Sequence, residues 1–385
     1  MSVPRGRRLR VAQAIVSMHI GGAENIVAHL ARGLDRARVD VSVICTTGGG
    51  VLADELEAEG VRVLRIAPAQ RALRYAIPVF LWRALRTVGA DIVHTHSTPT
   101  LLHAGPIALL RGLPPWVHTF HFGNYPLPVA REMKAERFFC RRADALIAVA
   151  EAQRRAIIQH HGLADDAITT IVNGVGANPF LGDTAVRARL RAEFGFTDAH
   201  VVVGSIAVLT RQKGVGLFLQ AIETLRTSHP QLRFLVAGGG ALEADLRAEA
   251  KARGLDGIVH FTGWRQDNLA MLTALDVFVM ASLWEAMPLA LLEAMAAVRP
   301  IVVTDVGDNR RVVDEGRCGT IVPPGDPAAL AAAIRDIVDG PAAAAAMAAR
   351  AHERFTRVFT RQHMLDAYLA LYERLAGPAP DGPDR

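Results

Sequence analysis

Short apolar runs of β type alternate with helical patterns along nearly the whole chain, and this alternation constrains the fold more than any single motif. Repeated alternation of this kind is typical of βαβ units that build parallel sheets. The pattern breaks once, at NGVGANPFLGD (Asn173–Asp183), where turn-forming residues precede a second series of the same kind. The sequence therefore predicts an α/β protein of two doubly wound, Rossmann-like domains that face a cleft.

The length of 385 residues also favours two domains, because it exceeds what one ordinary core holds. The first domain is predicted at 1–178 and the second at 179–357, and residues 377–385 are expected to form a frayed tail. The predicted strands are LRVAQAIV, VDVSVIC, VRVLRI, DIVHTH, WVHTF, DALIAV and ITTIV in the first series, and HVVVGSIAV, LRFLVAG, IVHFTG, DVFVMA, PIVVT and GTIVP in the second.

The composition excludes several classes of protein. Hydrophobic residues make up 51% of the chain and the mean hydropathy is +0.21, which excludes intrinsic disorder. No run of about 18 uncharged apolar residues occurs, so no membrane-spanning helix is predicted. The basic start followed by an apolar run is compatible with a signal peptide, but no cleavage site of the A-x-A kind follows, and a first strand is favoured. We expect a cytoplasmic protein.

Cysteine usage and charge narrow the classes further. Cys45, Cys140 and Cys318 are few and widely spaced, so we expect buried small side chains rather than a disulfide framework or a metal site. The formal charge of +5 indicates anionic partners. No nucleic-acid motif occurs and no nucleic acid is expected; anionic small molecules and an anionic membrane surface fit equally well.

A dinucleotide-dependent oxidoreductase is an obvious rival for such a layout. Its fingerprint, G-x-G-x-x-G directly after the first strand of a domain, is missing in both series: the first strand leads into SMHIGGAEN and its counterpart into TRQKG. Nicotinamide chemistry is therefore disfavoured.

Gly21 and Gly22 lie between the first predicted strand and the helix that follows it. Glycines there allow a ligand to approach the backbone, and the helix N-terminus presents free N–H groups to an anion. A tight turn with no ligand explains the same two glycines, so both interpretations stay open.

Four histidines, His94, His96, His118 and His121, fall at the ends of neighbouring predicted strands. Ligands bind at the carboxyl ends of parallel strands, so one or two of these rings are expected to face the cleft while the others are hydrogen-bonded structural groups. A metal site is the alternative, but no carboxylate or cysteine lies at ligand spacing, so none is predicted.

Arg211 and Lys213 precede a helix in TRQKGVGLFLQAI. Cations at the end of a strand and the mouth of a helix suit a diphosphate. A solvated basic turn is the alternative.

Two acids interrupt the apolar stretch LWEAMPLALLEAMAA: Glu285 and Glu293. Proline is typical of the first helical position, so Pro288 is predicted to begin a helix, with Glu285 in the preceding loop. Glu293 then lies roughly 7–8 Å along the axis, and free N–H groups around Met287, Leu289 and Ala290 lie between the two acids. An anion with hydroxyl groups on both sides, such as a nucleotide-diphosphate sugar, matches this order.

One exposed and one terminal glutamate on an ordinary helix is the alternative. A glycosidase pair fits less well, because a helix N-terminus separates the carboxylates.

Taken in order, these segments resemble the retaining glycosyltransferases of family four, which have the GT-B fold. The matching segments are GGAEN, HTFH, LIAVAEAQRRAI with IVNGV, TRQKG, VAGGGALEADL, FTGW, LDVFVMASLWEAMPLALLEAMA and GTIVPPGDPAAL. Their order covers most of the chain, and Glu285 and Glu293 match the E-x7-E signature of the family.

The resemblance implies an enzyme that moves a sugar from a nucleotide-diphosphate sugar, of UDP or GDP type, with retention and without a metal ion or other cofactor. It implies that Glu285 binds hydroxyls of the donor sugar, Glu293 binds the ribose hydroxyls, and Lys213, with Arg211 nearby, stabilises the departing diphosphate.

The remaining implied site residues come from other segments. His121 takes the position of the active-site histidine of the family, and Gly22 approaches the donor from the first domain. Gly239 and Trp264 fall in the donor-binding segments, with Trp264 where the backbone meets the nucleobase. A helix at about 360–376 is implied to cross back to the first domain.

Two positions depart from the family pattern. The arginine usual about five residues before the lysine is Val208, so either Arg211 supplies that charge or the leaving group is less well stabilised. The residue after Glu285 is commonly glycine and here is Ala286, so the loop must take a conformation that alanine tolerates.

The acceptor side belongs to the first domain. There, residues 65–86 carry five arginines and no acid. A basic amphipathic helix fits peripheral contact with the anionic inner face of a membrane; an ordinary helix with solvated arginines fits equally well.

The sequence as a whole predicts a glycosyltransferase that acts on a glycan or lipid-linked acceptor in the synthesis of cell-surface polysaccharide or glycolipid. A nucleotide-sugar epimerase of the same fold and a non-catalytic nucleotide-sugar-binding member remain as alternatives, the latter because of Val208 and Ala286.

Overall fold

Two units, each built around one parallel sheet, make up the computed structural model, which describes residues 7–66, 75–123, 125–126 and 130–377. Unit 1 is formed by residues 1–173 and 361–385, and unit 2 by residues 174–360. Both units have helices between consecutive strands. The predicted fold class of two doubly wound α/β domains is confirmed.

Unit 1 contains a seven-stranded sheet in the order β3-β2-β1-β4-β5-β6-β7, in which every pairing is parallel. The strands are β1 (Leu9–Ile15), β2 (Val39–Cys45), β3 (Arg62–Arg65), β4 (Ile92–His96), β5 (Trp116–Phe120), β6 (Ala145–Ala148) and β7 (Ile168–Thr170). The helices are α1 (Gly22–Gly33), α2 (Val51–Ala58), α3 (Ile77–Val88), α4 (Thr98–Leu110), α5 (Ala130–Cys140), α6 (Glu151–His161) and, at the end of the chain, α15 (Arg361–Ala376).

Unit 2 repeats the plan with six strands in the order β10-β9-β8-β11-β12-β13, again all parallel. The strands are β8 (Val201–Ile206), β9 (Leu232–Ala237), β10 (Val259–Gly263), β11 (Val277–Met280), β12 (Ile301–Thr304) and β13 (Thr320–Val322). The helices are α7 (Thr184–Glu193), α8 (Val215–Leu225), α9 (Glu243–Ala252), α10 (Asn268–Ala274), α11 (Leu289–Ala296), α12 (Asn309–Val312), α13 (Pro327–Asp339) and α14 (Pro341–Val358).

The strand order places one topological switch point in each sheet, between β1 and β4 in unit 1 and between β8 and β11 in unit 2. At such a point the connections leave the sheet in opposite directions and open a crevice beyond the carboxyl ends of the strands. The loops that follow these four strands carry GGAE, HS, TRQKG and SLWEAMP. Most of the predicted site residues therefore lie at the switch points.

The two units meet in sequence at 173/174 and 360/361, whereas the predicted boundaries were 178/179 and 357. Residues of the intervening segment are held by unit 2. Val175 forms a β-bridge with Thr360, and the Asn178 side-chain amide donates to the Leu269 carbonyl at 2.9 Å. A turn-rich segment carries no periodicity, so the sequence offers no signal for this attachment.

The C-terminal helix α15 packs within unit 1, against α1 and the sheet. Tyr368 and Tyr372 are fully buried, and Leu365 occupies the space beside Gly33 of α1. Arg38 and Glu373 form an ion pair at the rim. Its bounds, Arg361–Ala376, are close to the helix expected at about 360–376, and of the predicted tail only Gly377 lies within the described residues.

Two further expectations concern the chain as a whole. None of the helices in the described ranges combines the length and the apolar character needed to cross a bilayer. Cys45, Cys140 and Cys318 are all free and buried, as predicted.

Removal of α15 is expected to unfold unit 1. The helix buries Met364, Leu365, Tyr368, Leu369, Leu371 and Tyr372. At roughly 1.5–3 kcal/mol for each buried large side chain, their loss equals or exceeds the roughly 5–15 kcal/mol by which a domain is usually stable. A chain that ends at Thr360 should lose hydrogen-exchange protection in β1 and β4 and keep it in β8 and β11. A chain that ends at Gly377 is the control; equal protection of β1 in both would contradict this role of the helix.

Candidate functional site

A buried ion pair joins the two loops at the switch point of unit 2. Lys213 ends a short helical turn (Arg211–Lys213) after β8, and Glu285 lies in the loop after β11. The Lys213 Nζ and Glu285 Oε1 atoms are 2.5 Å apart. The Glu285 side chain is only 5% exposed and that of Lys213 is 21% exposed. Because an unpaired carboxylate at this depth is strongly unfavourable, the lysine supplies the partner that the buried Glu285 side chain requires.

Two neutral side chains complete the environment of the Glu285 carboxylate. The Ser282 hydroxyl donates to Oε1 at 2.8 Å, and the Gln212 amide donates to Oε2 at 3.1 Å and to the Trp284 carbonyl at 3.0 Å. Both carboxylate oxygens are therefore hydrogen-bonded and held in one orientation. Lys213 has three donor hydrogens, and within the described part of the chain one of them is used by Glu285. The others remain available to an anion.

Close backbone approaches fix these loops, and glycines permit them. Gly214, at φ +59°, follows Lys213, and a Cβ there would lie 2.1 Å from the Ala281 carbonyl oxygen. Gly307, at φ +55°, follows β12, and a Cβ there would lie 2.2 Å from the Glu285 carbonyl oxygen. Both positions combine a left-handed conformation with a contact that no side chain could share. The loops after β8, β11 and β12 thus pack backbone against backbone around the ion pair.

Helix α11 begins directly beyond the ion pair, one residue later than predicted. Pro288 has extended backbone (φ −75°, ψ 126°) and is the N-cap, so Leu289 is the first helical residue. Proline fits either position because both require the same φ; only ψ separates them. Pro288, the N-cap residue, makes no side-chain hydrogen bond to this N-terminus, Leu289 and Ala290 are partly exposed, and the first N–H groups of a helix have no partner within the helix itself. Glu293 lies on the second turn, roughly 6 Å along the axis, and is partly buried.

The two departures from the family pattern have different outcomes. Ala286 is buried and is not among the described non-glycine residues with positive φ, so the loop takes a conformation that alanine tolerates, as required. Val208 is partly buried and has no charge to offer. Arg211 is exposed, and no hydrogen bond or ion pair engages its guanidinium within the described part of the chain. Its charge is therefore free to meet an anion.

Gly239 and Trp264 are brought together at the same edge of the sheet, after β9 and β10. The indole of Trp264 is 53% exposed and lies against the backbone of Gly239, where a Cβ would be 2.5 Å from its Cδ1 and Nε1 atoms. An exposed aromatic face beside a bare stretch of backbone can hold a flat ring.

In unit 1, the N-terminus of α1 is occupied by a side chain of its own helix. The Glu24 carboxylate folds back over Gly21, so that a Cβ on this glycine would lie 2.3 Å from Oε2. Burial raises the pKa of Glu24, a shift that a hydrogen bond from its own backbone N–H opposes. Gly22 has no atom within 4 Å of its Cβ position and is exposed. The open position is thus Gly22, while Gly21 is covered by a carboxylate that sequence reasoning did not anticipate.

The predicted histidine cluster forms on β4 and β5 of unit 1. His94, His96 and His118 are fully buried, and His121, just after β5, is partly buried. The His121 Nε2 and His96 Nδ1 atoms are 2.9 Å apart. Burial, reinforced by His118, lowers the pKa of His121 to about 3, and burial lowers the pKa of His118 to about 4. The rings are therefore neutral at pH 7.

A metal site at these histidines was the alternative. Over residues 7–66, 75–123, 125–126 and 130–377, no three or more His, Cys, Asp or Glu side chains are grouped so as to hold a metal ion. The cluster is instead joined by hydrogen bonds to neighbouring polar side chains.

Sequence comparisons identify the family of the chain. The family model described as Glycosyltransferase Family 4 matches residues 20–178, and the model described as Glycosyl transferases group 1 matches residues 186–354. Together the two models match most of the chain, which belongs to the family-four glycosyltransferases.

Individual relatives and solved structures are also similar. Glycogen synthase of Mycobacterium tuberculosis is 29% identical, over 95% of this chain and 94% of its own length. The UDP-Gal:alpha-D-GlcNAc-diphosphoundecaprenol alpha-1,3-galactosyltransferase of Escherichia coli is 26% identical, over 80% and 82%. The structure of Anabaena HepE in complex with UDP-glucose has a TM-score of 0.85 at 20% identity and covers 94% of this chain and 99% of HepE. The likeness confirms the GT-B fold.

Several functional neighbours lie outside the sequence predictions. Gln212 and Ser282 hold the Glu285 carboxylate, and a signal existed for both, since Gln212 lies between Arg211 and Lys213 and Ser282 lies three residues before Glu285. Glu24 and the buried partners of the histidines carried no such signal, because their roles depend on which way a side chain turns within the fold.

Removal of one partner of the ion pair is expected to have unequal effects. Lys213→Met leaves the Glu285 carboxylate buried without a counter-ion and should lower the unfolding free energy of unit 2 by about 3 kcal/mol. Glu285→Gln leaves a lysine that reaches water and should cost about 1 kcal/mol. The double variant should be more stable than Lys213→Met alone. Urea unfolding of the two single variants and the double variant, with hydrogen exchange in β8 and β11 as the readout, measures the three changes in unfolding free energy. If the change in the double variant were the sum of the two single changes, a direct interaction would be contradicted.

Proposed function

We propose that the protein transfers a sugar from a UDP sugar to a hydroxyl group of a glycan or lipid-linked acceptor, with retention of anomeric configuration and without a metal ion. The observation that carries this proposal is the ion pair of Lys213 and Glu285, held at the switch point of unit 2 beside the uncapped N-terminus of α11. It offers a cation, open N–H groups and an oriented carboxylate in one place.

The choice of donor is supported by the relatives. The name of the Escherichia coli galactosyltransferase specifies UDP-Gal, and HepE was solved with UDP-glucose. A UDP sugar carries hydroxyl groups at both ends and a diphosphate between them. A GDP sugar shares this order of groups and is the alternative donor.

In the proposed transfer, the bond between the anomeric carbon and the diphosphate breaks, the acceptor oxygen bonds to the anomeric carbon, and the acceptor hydroxyl gives its proton to the departing phosphate. Negative charge grows on that phosphate as its bond to the sugar breaks. Lys213 and the N–H groups of Leu289 and Ala290 are the donors placed to stabilise it, and Arg211 adds a further charge from the exposed side. Such fixed charges need no reorganisation when the bond breaks. They take the role that a bound cation has in other transferases.

The two glutamates serve hydroxyl groups at the ends of the donor. Glu285, with both oxygens already oriented, accepts a hydrogen bond from a hydroxyl of the transferred sugar, and Glu293 accepts from the ribose. Trp264 and the backbone of Gly239 receive the nucleobase. Met287 and Pro288 shape the loop that carries Glu285 to the helix. In unit 1, Gly22 offers open backbone and His121 a neutral ring to the reacting sugar.

Replacement of Lys213 is expected to affect catalysis more than donor binding. Lys213→Met should lower kcat about a hundredfold or more, because its interaction strengthens as charge develops on the phosphate. Arg211→Met, which removes an exposed charge of the same sign, should lower kcat about tenfold. Steady-state kinetics with UDP-glucose and UDP-galactose and a soluble glycan acceptor measures both. Equal kcat values for wild type and Lys213→Met would contradict the assignment.

Incubation of the wild-type protein with the donor, first alone and then with acceptors, separates the rival functions. A transferase leaves the sugar configuration of the donor unchanged. Conversion to an epimer without acceptor would show an epimerase, and binding without turnover of any acceptor would show a non-catalytic member.

A surface of unit 1 supports peripheral contact with an anionic membrane, which would place the enzyme on the inner face of the cytoplasmic membrane. Within the stretch 65–86, residues 67–74, with Arg71 and Arg74, lie outside the described residues. The described part exposes Tyr75 and Val79, and the adjacent end of α4 exposes Leu109 and Leu110. Arg86 and Arg111 flank Trp82 at 5.2 and 4.4 Å from its ring centre. Exposed apolar groups among arginines match the interface of an anionic bilayer.

Charge removal on this surface is expected to weaken membrane binding. The double variant Arg83→Ala/Arg86→Ala loses about 1 kcal/mol per arginine and should bind vesicles of phosphatidylglycerol roughly thirtyfold less well. Donor affinity should not change, since neither arginine is among the residues proposed to contact the donor. Cosedimentation with vesicles measures binding, with Arg335→Ala/Arg350→Ala in unit 2 as the matched control. Equal binding of wild type to phosphatidylcholine vesicles, or no loss in the double variant, would contradict the membrane proposal.

A further inference from the structure

A continuous file of hydrogen bonds runs through the interior of unit 1 and ends at His121. The His121 Nε2 atom lies 2.9 Å from His96 Nδ1, and His96 Nε2 lies 2.6 Å from the Gln13 side-chain oxygen. Gln13 and His96 are fully buried. They lie on β1 and β4, the strands of the switch point.

The file continues from Gln13 into helix α15. The Gln13 amide donates to the Tyr372 hydroxyl at 2.9 Å, although the two residues are 359 positions apart in the chain. The Tyr372 oxygen is 2.7 Å from His94 Nδ1, and His94 Nε2 is 2.7 Å from the Thr119 hydroxyl. Tyr368 packs its ring against those of His94 and Tyr372, but among the described residues its hydroxyl is hydrogen-bonded to the file only at this far end, through Thr119 at 3.2 Å.

The donors in this file all point the same way. A neutral imidazole has one donor and one acceptor nitrogen. Because the Gln13 carbonyl faces His96, the proton of His96 must be on Nε2, and its Nδ1 is an acceptor. His121 must then donate from Nε2, which leaves its Nδ1 without a proton. Burial lowers the pKa of His94 and His96 well below the usual value. Each ring is therefore neutral and has one donor and one acceptor nitrogen, as this assignment requires.

We propose that Gln13 and Tyr372 are positioning residues for sugar transfer, which act through His96 to hold His121 as the tautomer with a proton on Nε2 and a bare Nδ1. In this tautomer His121 presents an acceptor to a hydroxyl group of the substrate. The inference rests on the proposed function for the part that concerns catalysis. It also gives α15 a role beyond packing, since the helix supplies the tyrosine that orients the Gln13 amide.

The alternative tautomer of His121 corresponds to a reversed Gln13 amide. If the Gln13 amide were reversed, its nitrogen would donate to His96 Nε2 and every donor in the file would reverse. His121 would then carry its proton on Nδ1. A measurement of this one proton therefore decides the direction of the whole file.

Nitrogen NMR of the full-length protein, labelled with ¹⁵N in histidine, reads the tautomer directly and needs no turnover. The His121 signals are assigned with His121→Asn. We expect Nε2 to be protonated and Nδ1 bare in the wild type. Tyr372→Phe should produce a mixture of tautomers. Tyr368→Phe removes the same hydroxyl group from a buried tyrosine one turn away and should leave the tautomer unchanged.

Kinetics tests the catalytic half of the inference. Tyr372→Phe should lower kcat about tenfold or more with the KM for the donor nearly unchanged, because a misdirected ring affects the reacting geometry and not the nucleotide. Tyr368→Phe should have the kcat of the wild type. Gln13→Met, which cuts the file at the same point from β1, should reproduce the effect of Tyr372→Phe and serves if that variant does not fold.

Each outcome has one meaning. A proton on Nδ1 of His121 in the wild type, or an unchanged tautomer in both Tyr372→Phe and Gln13→Met, would overturn the inference. A changed tautomer with unchanged kcat would overturn the positioning role. If the wild type transfers no sugar from any donor, the proposed function fails, and the NMR result still decides whether the file sets His121.

Discussion

The interaction on which the rest of unit 2 depends is the contact between the Lys213 ammonium and the buried Glu285 carboxylate. A carboxylate this deep requires a partner, and the strand order β9-β8-β11 places the loop that supplies one directly beside it. Gly214 and Gly307 then follow from the need to bring three loops within backbone contact. The same pair that satisfies the buried charge also supplies a cation and an oriented acceptor to the crevice at the switch point. If the proposed function is correct, stability and donor recognition depend on the same atoms.

Much of this arrangement could be predicted from the sequence, for a topological reason. In a parallel sheet all carboxyl ends lie at one edge, so residues that follow separate strands, such as His121 or Trp264, fall on the site side once the strands are recognised. The direct contact of Lys213 with Glu285 could not be predicted, since each had been assigned to a different part of the ligand. The start of α11 was wrong by one residue because the φ of proline suits both the N-cap and the first helical position. The attachment of residues 174–178 to unit 2 carried no signal in a turn-rich segment.

In unit 1, prediction from the sequence is limited for a different reason. Histidine and glutamine on the central strands contradict the apolar pattern usual there. Each of these rings has at least one hydrogen-bond partner, although His118 Nε2 is buried with no partner among the described residues. Gln13 gave no signal by itself, and its link to Tyr372 spans nearly the whole chain. Such a network depends on which face α15 presents to the sheet, and the helical period of a short, partly polar segment does not determine that face.

A crystal structure of the protein with an intact, non-hydrolysable UDP-glucose analogue tests the central claim most directly. We predict that a β-phosphate oxygen lies within hydrogen-bond distance of Lys213 Nζ and of the N–H groups of Leu289 or Ala290, with a sugar hydroxyl donating to Glu285. A nucleotide bound elsewhere, with the pair of Lys213 and Glu285 intact and no phosphate at the N-terminus of α11, would contradict the account.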